Sequence, residues 1–243
     1  MKILITGASS GLGAEFARQY ASLDNELVLL ARREQNLLSL KNELQSSCKN
    51  IEIITVDVTD FPTLQAKIKT IQDIDMVILN AGISLGHKGD IPTIEQFENL
   101  FDVNVLSAHA ILEILLPQFR DKRKGTIVFI SSLASLFSMP TSKVYSASKR
   151  AVNAYAEGIR YKYKPYGVKV ITLLPGFIKS EMTDKNEFTM PFLLQTQEGV
   201  SRMKRAIERG KECYAFPFRF YLIIRFLNLL PSLLREKIVH YKK

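Results

Sequence analysis

Tyr145 and Lys149 are the two residues whose types and spacing best suit chemistry. They stand four apart in Tyr145-Ser146-Ala147-Ser148-Lys149, a stretch with Ala151, Ala154 and Ala156 beyond it and no proline until Pro165. The segment from about Lys143 to Tyr163 therefore reads as a helix, and residues four apart share a helical face. A cation held beside a phenol favours the phenolate. Lys149 is thus expected to draw the Tyr145 pKa below its usual value of about 10, as a general acid or base near neutral pH requires. Tyrosine and lysine also occur at this spacing on ordinary solvated helices, so the rest of the chain has to decide between the two readings.

The elements that would position the pair run in order from the first residues. Lys2-Ile3-Leu4-Ile5-Thr6 is a short apolar run suited to a buried parallel strand. Gly7-Ala8-Ser9-Ser10-Gly11-Leu12-Gly13 follows, then helical Ala14 to Ala21. A strand, a glycine-rich turn and a helix make a phosphate cradle: the glycines admit the pyrophosphate, and the helix start offers free N–H groups with partial positive charge. The spacing is Gly-x-x-x-Gly-x-Gly rather than Gly-x-Gly-x-x-Gly. A glycine turn without a ligand is the alternative, and the position at the start of a βαβ unit favours the cradle.

Glu26 to Leu30 reads as the second strand, ending in Ala31-Arg32-Arg33. An acid there would bind the ribose 2′-hydroxyl of NAD, an arginine the 2′-phosphate of NADP. The strand end carries no acid. Arg32, with Ser9 or Ser10 assisting, is the candidate, and NADP is expected over NAD. Alternatively, Arg32 and Arg33 simply start a helix in solvent.

Further strands are expected at Ile51 to Val56, Asp75 to Leu79, Thr126 to Ile130 and Val168 to Leu174, with helices at Asn36 to Ser46, Thr63 to Ile71 and Thr93 to Leu116. Each strand ends in residues of interest. Asp57-Val58 could meet the adenine amino group. Asn80-Ala81-Gly82 ends the next strand, Ser131-Ser132 another, and Pro175-Gly176-Phe177-Ile178-Lys179-Ser180 the one from Val168, with Glu212 to Phe216 read as the last strand of the sheet. The Ser132 hydroxyl could bond a substrate carbonyl, although serines at strand ends are commonly turn formers. Asn104 stands among Phe101, Val103, Val105 and Leu106. A buried amide needs partners, so Asn104 is either a structural hydrogen-bonder or part of a proton relay. His87, in the polar loop before Pro92, reads as a solvated histidine. Strand and helix alternating at short intervals predict an α/β fold, a doubly wound parallel sheet with crossover helices. Ligands gather at the carboxyl ends of such strands, where all these candidates lie.

The 243 residues suit one large α/β domain, taken as 1–243 with 181–210 as a lid over the substrate, a plain packing helix being an equally open reading of that stretch. A hydrophobic share of 47% and a charged share of 23% argue against disorder. The net charge of +9 could attract nucleic acid, anionic lipid or a phosphorylated cofactor. Without a basic stripe interleaved with aromatics, nucleic acid is not expected. Cys48 and Cys213 form no disulfide framework or metal set and fit a reducing compartment. No metal is expected. The strand-like start leads us to expect no signal peptide, and no uninterrupted apolar run reaches the ~18 residues of a spanning helix, so a cytoplasmic location is expected.

The tail differs. Phe218 to Pro231 is strongly apolar yet broken by Arg219, Arg225 and Pro231, and Leu233, Leu234, Ile238 and basic ends follow. The extension 217–243 suits a helix lying in a membrane interface, peripheral on the inner surface, but burial against protein, as a contact between subunits or a cover on its own pocket, is favoured over it.

These residues together resemble the short-chain dehydrogenases/reductases over about Lys2 to Ser180. Thr6-Gly7-Ala8-Ser9-Ser10-Gly11-Leu12-Gly13 is similar to that family's cofactor motif, Asn80-Ala81-Gly82 to its sheet-stabilising motif, and Asn104, Ser132, Tyr145 and Lys149 to its catalytic tetrad. Pro175-Gly176 with Ile178 and Ser180 is similar to its nicotinamide-holding segment. The chain departs from the family at Leu79, where many members carry asparagine, and at Ser180, where threonine is common. The resemblance implies a Rossmann-like sheet of about seven strands in the order 3-2-1-4-5-6-7 with helices on both faces. It implies hydride transfer between NADP(H) and the carbonyl or secondary alcohol of a small molecule, here a nonpolar one. Ser132 and Tyr145 would bind the substrate oxygen, Tyr145 would move the proton, Lys149 would bond the nicotinamide ribose, and Asn104 would hold a relay water. A homodimer or homotetramer through helices including Ala108 to Phe119 and Ala151 to Tyr163 is also implied. The alternative is a catalytically idle NADP-binding sensor or scaffold, which would need neither the serine nor the tyrosine.

Overall fold

The computed structural model describes residues 1–85, 91–184, 186 and 188–240; His87 lies outside them. Seven parallel strands form one sheet in the order β3-β2-β1-β4-β5-β6-β7, as the resemblance implied. They are β1 (Lys2–Thr6), β2 (Glu26–Ala31), β3 (Asn50–Thr55), β4 (Met76–Leu79), β5 (Gly125–Ile130), β6 (Val168–Pro175) and β7 (Cys213–Phe216).

The central strands β1, β2, β4 and β5 are mostly apolar because both faces are covered, while Glu52 interrupts edge strand β3 and exposed Lys169 interrupts β6. Successive side chains alternate between faces. Ile3, Ile5, Leu27 and Leu29 pack with Phe16 of α1 (Gly11–Tyr20), Leu37 of α2 (Glu34–Leu44), and Val200 and Met203 of α7 (Thr196–Glu208). Leu4, Val28, Leu30 and Val77 turn the other way, onto Leu64 of α3 (Phe61–Lys69), Ile111 and Leu115 of α5 (Ser107–Asp121), and Val152 of α6 (Lys143–Tyr163).

Two regions differ from the expectation. The helix expected over Thr93 to Leu116 is α4 (Ile94–Phe101), one π-helical turn at Asp102–Leu106, and α5. A π turn adds a residue to the helical repeat, and this one carries Asn104. The whole stretch Ile94–Asp121 is long and apolar enough to cross a membrane by length and composition, but 56% of its most apolar window is buried within this fold, as befits a core helix. The second difference lies in the lid expected over 181–210. From Thr196 onward that segment is α7, whose Val200, Met203 and Ala206 are buried against the sheet. Only the stretch before it is free to cover a substrate. The chain ends in α8 (Phe218–Leu229) and α9 (Ser232–His240).

Candidate active site

The carboxyl ends of β1, β2, β4, β5 and β6 open onto one cleft of about 490 Å³. Gly7, Ser9, Ser10, Gly11, Leu12, Arg32, Asp57, Val58, Asn80, Ala81, Gly82, Ser132, Tyr145, Lys149, Pro175, Gly176, Ile178 and Ser180 all line it. The sequence names them from seven separate segments, and the sheet brings them together.

At one end the chain turns from β1 into α1. Gly7 and Gly11 take positive φ values of 66° and 52°, which side chains disfavour. A Cβ on Gly13 would lie 2.1 Å from the Gly7 carbonyl oxygen, so only glycine lets the helix start close on the turn. Ser10 caps α1 in an extended conformation without a side-chain cap, leaving the first N–H groups to a ligand. Asn80 fixes this turn from the neighbouring strand. Its Nδ2 donates to the Thr6 carbonyl at 3.0 Å, and the Asn80 and Ala81 N–H groups both donate to Thr6 Oγ1 at 2.9 Å.

The two arginines after β2 part company. Arg32 donates to Asp57 at 3.2 Å, and Asp57 also accepts from the Thr59 N–H and hydroxyl. These hydrogen bonds and the Arg32 cation hold the Asp57 carboxyl below its usual range, against a burial effect that is the largest single influence and pushes it up. Arg33 instead reaches over the glycine turn. It donates to Ser9 Oγ at 3.2 Å and Ser10 Oγ at 2.5 Å, and pairs with Glu181 at 3.1 Å. Ser10 Oγ in turn donates to Glu181 at 3.2 Å. Arg33 and Glu181 thus join the site although the sequence singled out neither. Arg33 could have been found by counting. Leu29 and Ala31 face α1 and α2, and the alternation carries Arg33 to that side and Arg32 to the other. Glu181 gave no signal, since nothing in the sequence folds it onto Ser10.

At the other end α6 presents Tyr145 and Lys149, with the Lys149 Nζ 5.8 Å from the Tyr145 ring centroid. Lys149 is 4% exposed and its Nζ donates to the Ile130 carbonyl at 2.9 Å. Among the described residues no carboxylate pairs with it. Asn104 and Gly82 sit beside it: a Cβ on Gly82 would lie 3.3 Å from Asn104 Oδ1 and 3.4 Å from Lys149 Nζ. Asn104 lies behind the cleft wall with its amide fully engaged. Oδ1 accepts from the Ile83 N–H at 2.8 Å, and Nδ2 donates to the Ile83 carbonyl and Ser148 Oγ, both at 3.0 Å. Of the two readings offered for Asn104, the side chain satisfies the structural one.

The acidification expected at Tyr145 is not the balance found. Burial pushes the phenol up to about 12, with a hydrogen bond from Ser132 working against it. Burial likewise pushes Lys149 down to about 8. The four-residue spacing fixes proximity correctly, but removal from water outweighs it. Beyond β6, Thr183 organises the turn: its hydroxyl donates to the Ile178 carbonyl at 2.9 Å and accepts from the Ser180 N–H at 2.8 Å.

Comparison with known proteins agrees with this layout. A family model described as short chain dehydrogenase matches residues 1–190. An uncharacterized oxidoreductase of Myxococcus xanthus is 33% identical over 94% of this chain and 92% of its own length. An uncharacterized oxidoreductase of Mycobacterium tuberculosis is 35% identical over 97% and 96%. Among solved structures, a short-chain dehydrogenase from Sphingobium yanoikuyae in complex with NADPH superposes with a TM-score of 0.84 at 24% identity, covering 95% of this chain and 96% of that one.

Proposed function

Because the chain belongs to the short-chain dehydrogenase/reductase family, whose members are NAD(P)-dependent oxidoreductases, we propose that it transfers hydride between NADP(H) and the carbonyl or secondary alcohol of a small nonpolar molecule. The observation that carries this is one cleft with a glycine-rich cradle and two arginines at one end and Ser132, Tyr145 and Lys149 at the other. The residues fit the cofactor. The helix start is uncapped by side chains, and a buried ammonium without a carboxylate partner faces the space where a ribose would lie.

A nicotinamide held there supplies the hydride. Ser132 and the Tyr145 phenol hold the substrate oxygen. With its pKa raised, Tyr145 keeps its proton at neutral pH and can give it to an oxygen that gains charge as the carbonyl is reduced. The Lys149 cation stabilises that charge and bonds the ribose. Asn104 positions both by tying Ile83 to α6. Arg33, Ser9 and Ser10, with Arg32 beside them, would hold the 2′-phosphate. Two further readings attach: a homodimer or homotetramer through α5 and α6, and a cytoplasmic location with the tail in peripheral contact with the inner membrane surface.

Following NADPH absorbance against a panel of ketones and aldehydes tests the central reading. Tyr145→Phe should still bind NADPH and lose about 10²- to 10⁴-fold in turnover, the usual worth of a general acid. Turnover that survives the substitution would overturn the assignment.

A further inference from the structure

We infer that α8 and the 188–193 stretch of the lid form one docking surface for an anionic lipid bilayer, and that a nonpolar carbonyl substrate reaches the cleft from that bilayer. The second half of this inference rests on the proposed reductase activity.

α8 carries apolar side chains around most of its circumference, broken by Arg219 and Arg225. Its inner face packs Phe220, Tyr221 and Ile224 against Leu133, Leu136, Phe137 and Leu174, and Asn228 Nδ2 donates to the Leu136 carbonyl at 2.9 Å. Phe218, Leu222, Phe226 and Leu229 recur at helical spacing on the opposite face and are exposed, Phe226 at 63% and Leu229 at 81%. A helix that is hydrophobic all round is normally enclosed, and a contiguous apolar face left in solvent marks a surface that something covers. α9 extends it with exposed Leu233, Leu234 and Ile238.

This patch is continuous with the site. The Phe220 ring lies 5.9 Å from both Phe177 and Phe192, and Phe177 lies 5.7 Å from Phe188. Phe188, Phe192 and Leu193 are themselves exposed. On its inner side Phe220 approaches Gly176 so closely that a Cβ there would lie 3.1 Å from its Cδ1, and Gly176 lines the cleft. One cluster of aromatic rings therefore runs from the solvent-facing patch to the cleft edge.

Charge selects the occupant. Arg219 and Arg225 are exposed on α8, which carries no acid. Across 217–243 the cations Arg219, Arg225, Arg235, Lys237, Lys242 and Lys243 face a single acid, Glu236. A second copy docking here by two-fold symmetry would set this patch against itself, cation against cation. Anionic headgroups neutralise the same charges while the aromatic and aliphatic side chains enter the acyl boundary. The apolar helix is too short to span.

The test uses the full-length protein with vesicles of phosphatidylcholine, alone or mixed with phosphatidylglycerol. Wild type should co-float with the mixed vesicles. Arg219→Gln with Arg225→Gln should weaken binding roughly tenfold or more, and Leu222→Asp with Phe226→Asp should abolish it. In NADPH assays the aspartate variant should lose at least about tenfold on a long-chain ketone presented in mixed vesicles and keep its rate on a short ketone dissolved in water, since membrane delivery and catalysis are then separable. Failure of wild type to float, or a particle that halves in mass on Phe226→Asp because a second copy covered the patch, overturns the docking surface. Equal losses on both ketones overturn delivery. Flotation with no ketone reduced at all defeats the reductase reading and the delivery claim together, and leaves the docking surface standing.

Discussion

The two halves of the cleft are built differently. The cofactor half rests on the ends of β1, β2 and β4, where Gly13 packs against a carbonyl and Asn80 laces two strands together. The substrate half rests on the 181–195 segment and α8, joined to the body mainly through Phe177, Phe220 and the Leu133–Leu174 cluster. Its aromatics Phe188 and Phe192 are exposed, and substitutions at such positions cost little stability. Under the proposed function one half would hold the cofactor and the other would leave the substrate open, the division expected where function lives in sites grafted on a shared fold.

The largest expected break falls where the halves meet, at Lys149. Lys149→Met should cost on the order of 10²–10³-fold in turnover, as loss of a preorganised charge does. It should also raise stability at pH 7 by about 1–2 kcal/mol, because the folded chain no longer buries a cation. The pH dependence follows from the pKa lowered by burial from 10.5 to about 8. Below about 8 both folded and unfolded chains carry the proton, and the penalty is full. Between there and 10.5 the unfolded chain binds more protons, so wild-type stability rises with pH. Above 10.5 the two proteins should melt alike. Thermal melts of both across pH 7 to 10.5 check this, and a wild type more stable than the variant at pH 7 would refute it.

Next in size is the contrast between the neighbouring arginines, a test inside the cofactor half. Arg33→Ala should weaken NADPH binding about tenfold, the worth of a partly exposed charge-assisted contact, and leave NADH binding almost unchanged. Arg32→Ala should cost less, since that guanidinium is turned to Asp57. Titrating both cofactors against both variants decides it. A larger loss at Arg32 would restore the simpler sequence expectation.

How much was legible follows the same division. Apolar strands, turn glycines and the Tyr145–Lys149 spacing are local patterns, and they located the sheet, the glycine turn and the cleft position of Tyr145 and Lys149. What the sequence hid was environment. Burial reversed the expected direction at Tyr145. A π turn that no periodicity announces carries Asn104. The stretch 181–210 reads as a lid until Val200, Met203 and Ala206 are seen packed against the sheet. Each of these depends on contacts between segments far apart in the chain.

The smallest effect probes how the two halves meet. Glu181 belongs to the lid segment, yet it accepts from Arg33 and Ser10, the donors proposed for the 2′-phosphate. A carboxylate there competes with the phosphate for the same hydrogen bonds. Glu181→Gln removes the charge and keeps the shape, so NADP should bind two- to fivefold tighter, in line with the ~0.2–1 kcal/mol of an exposed ion pair, while NAD stays unchanged. The gain should shrink as salt screens the pair. If the variant instead bound both cofactors more weakly, Glu181 would be a clamp that closes over the cofactor, and the lid would report cofactor presence rather than cofactor type.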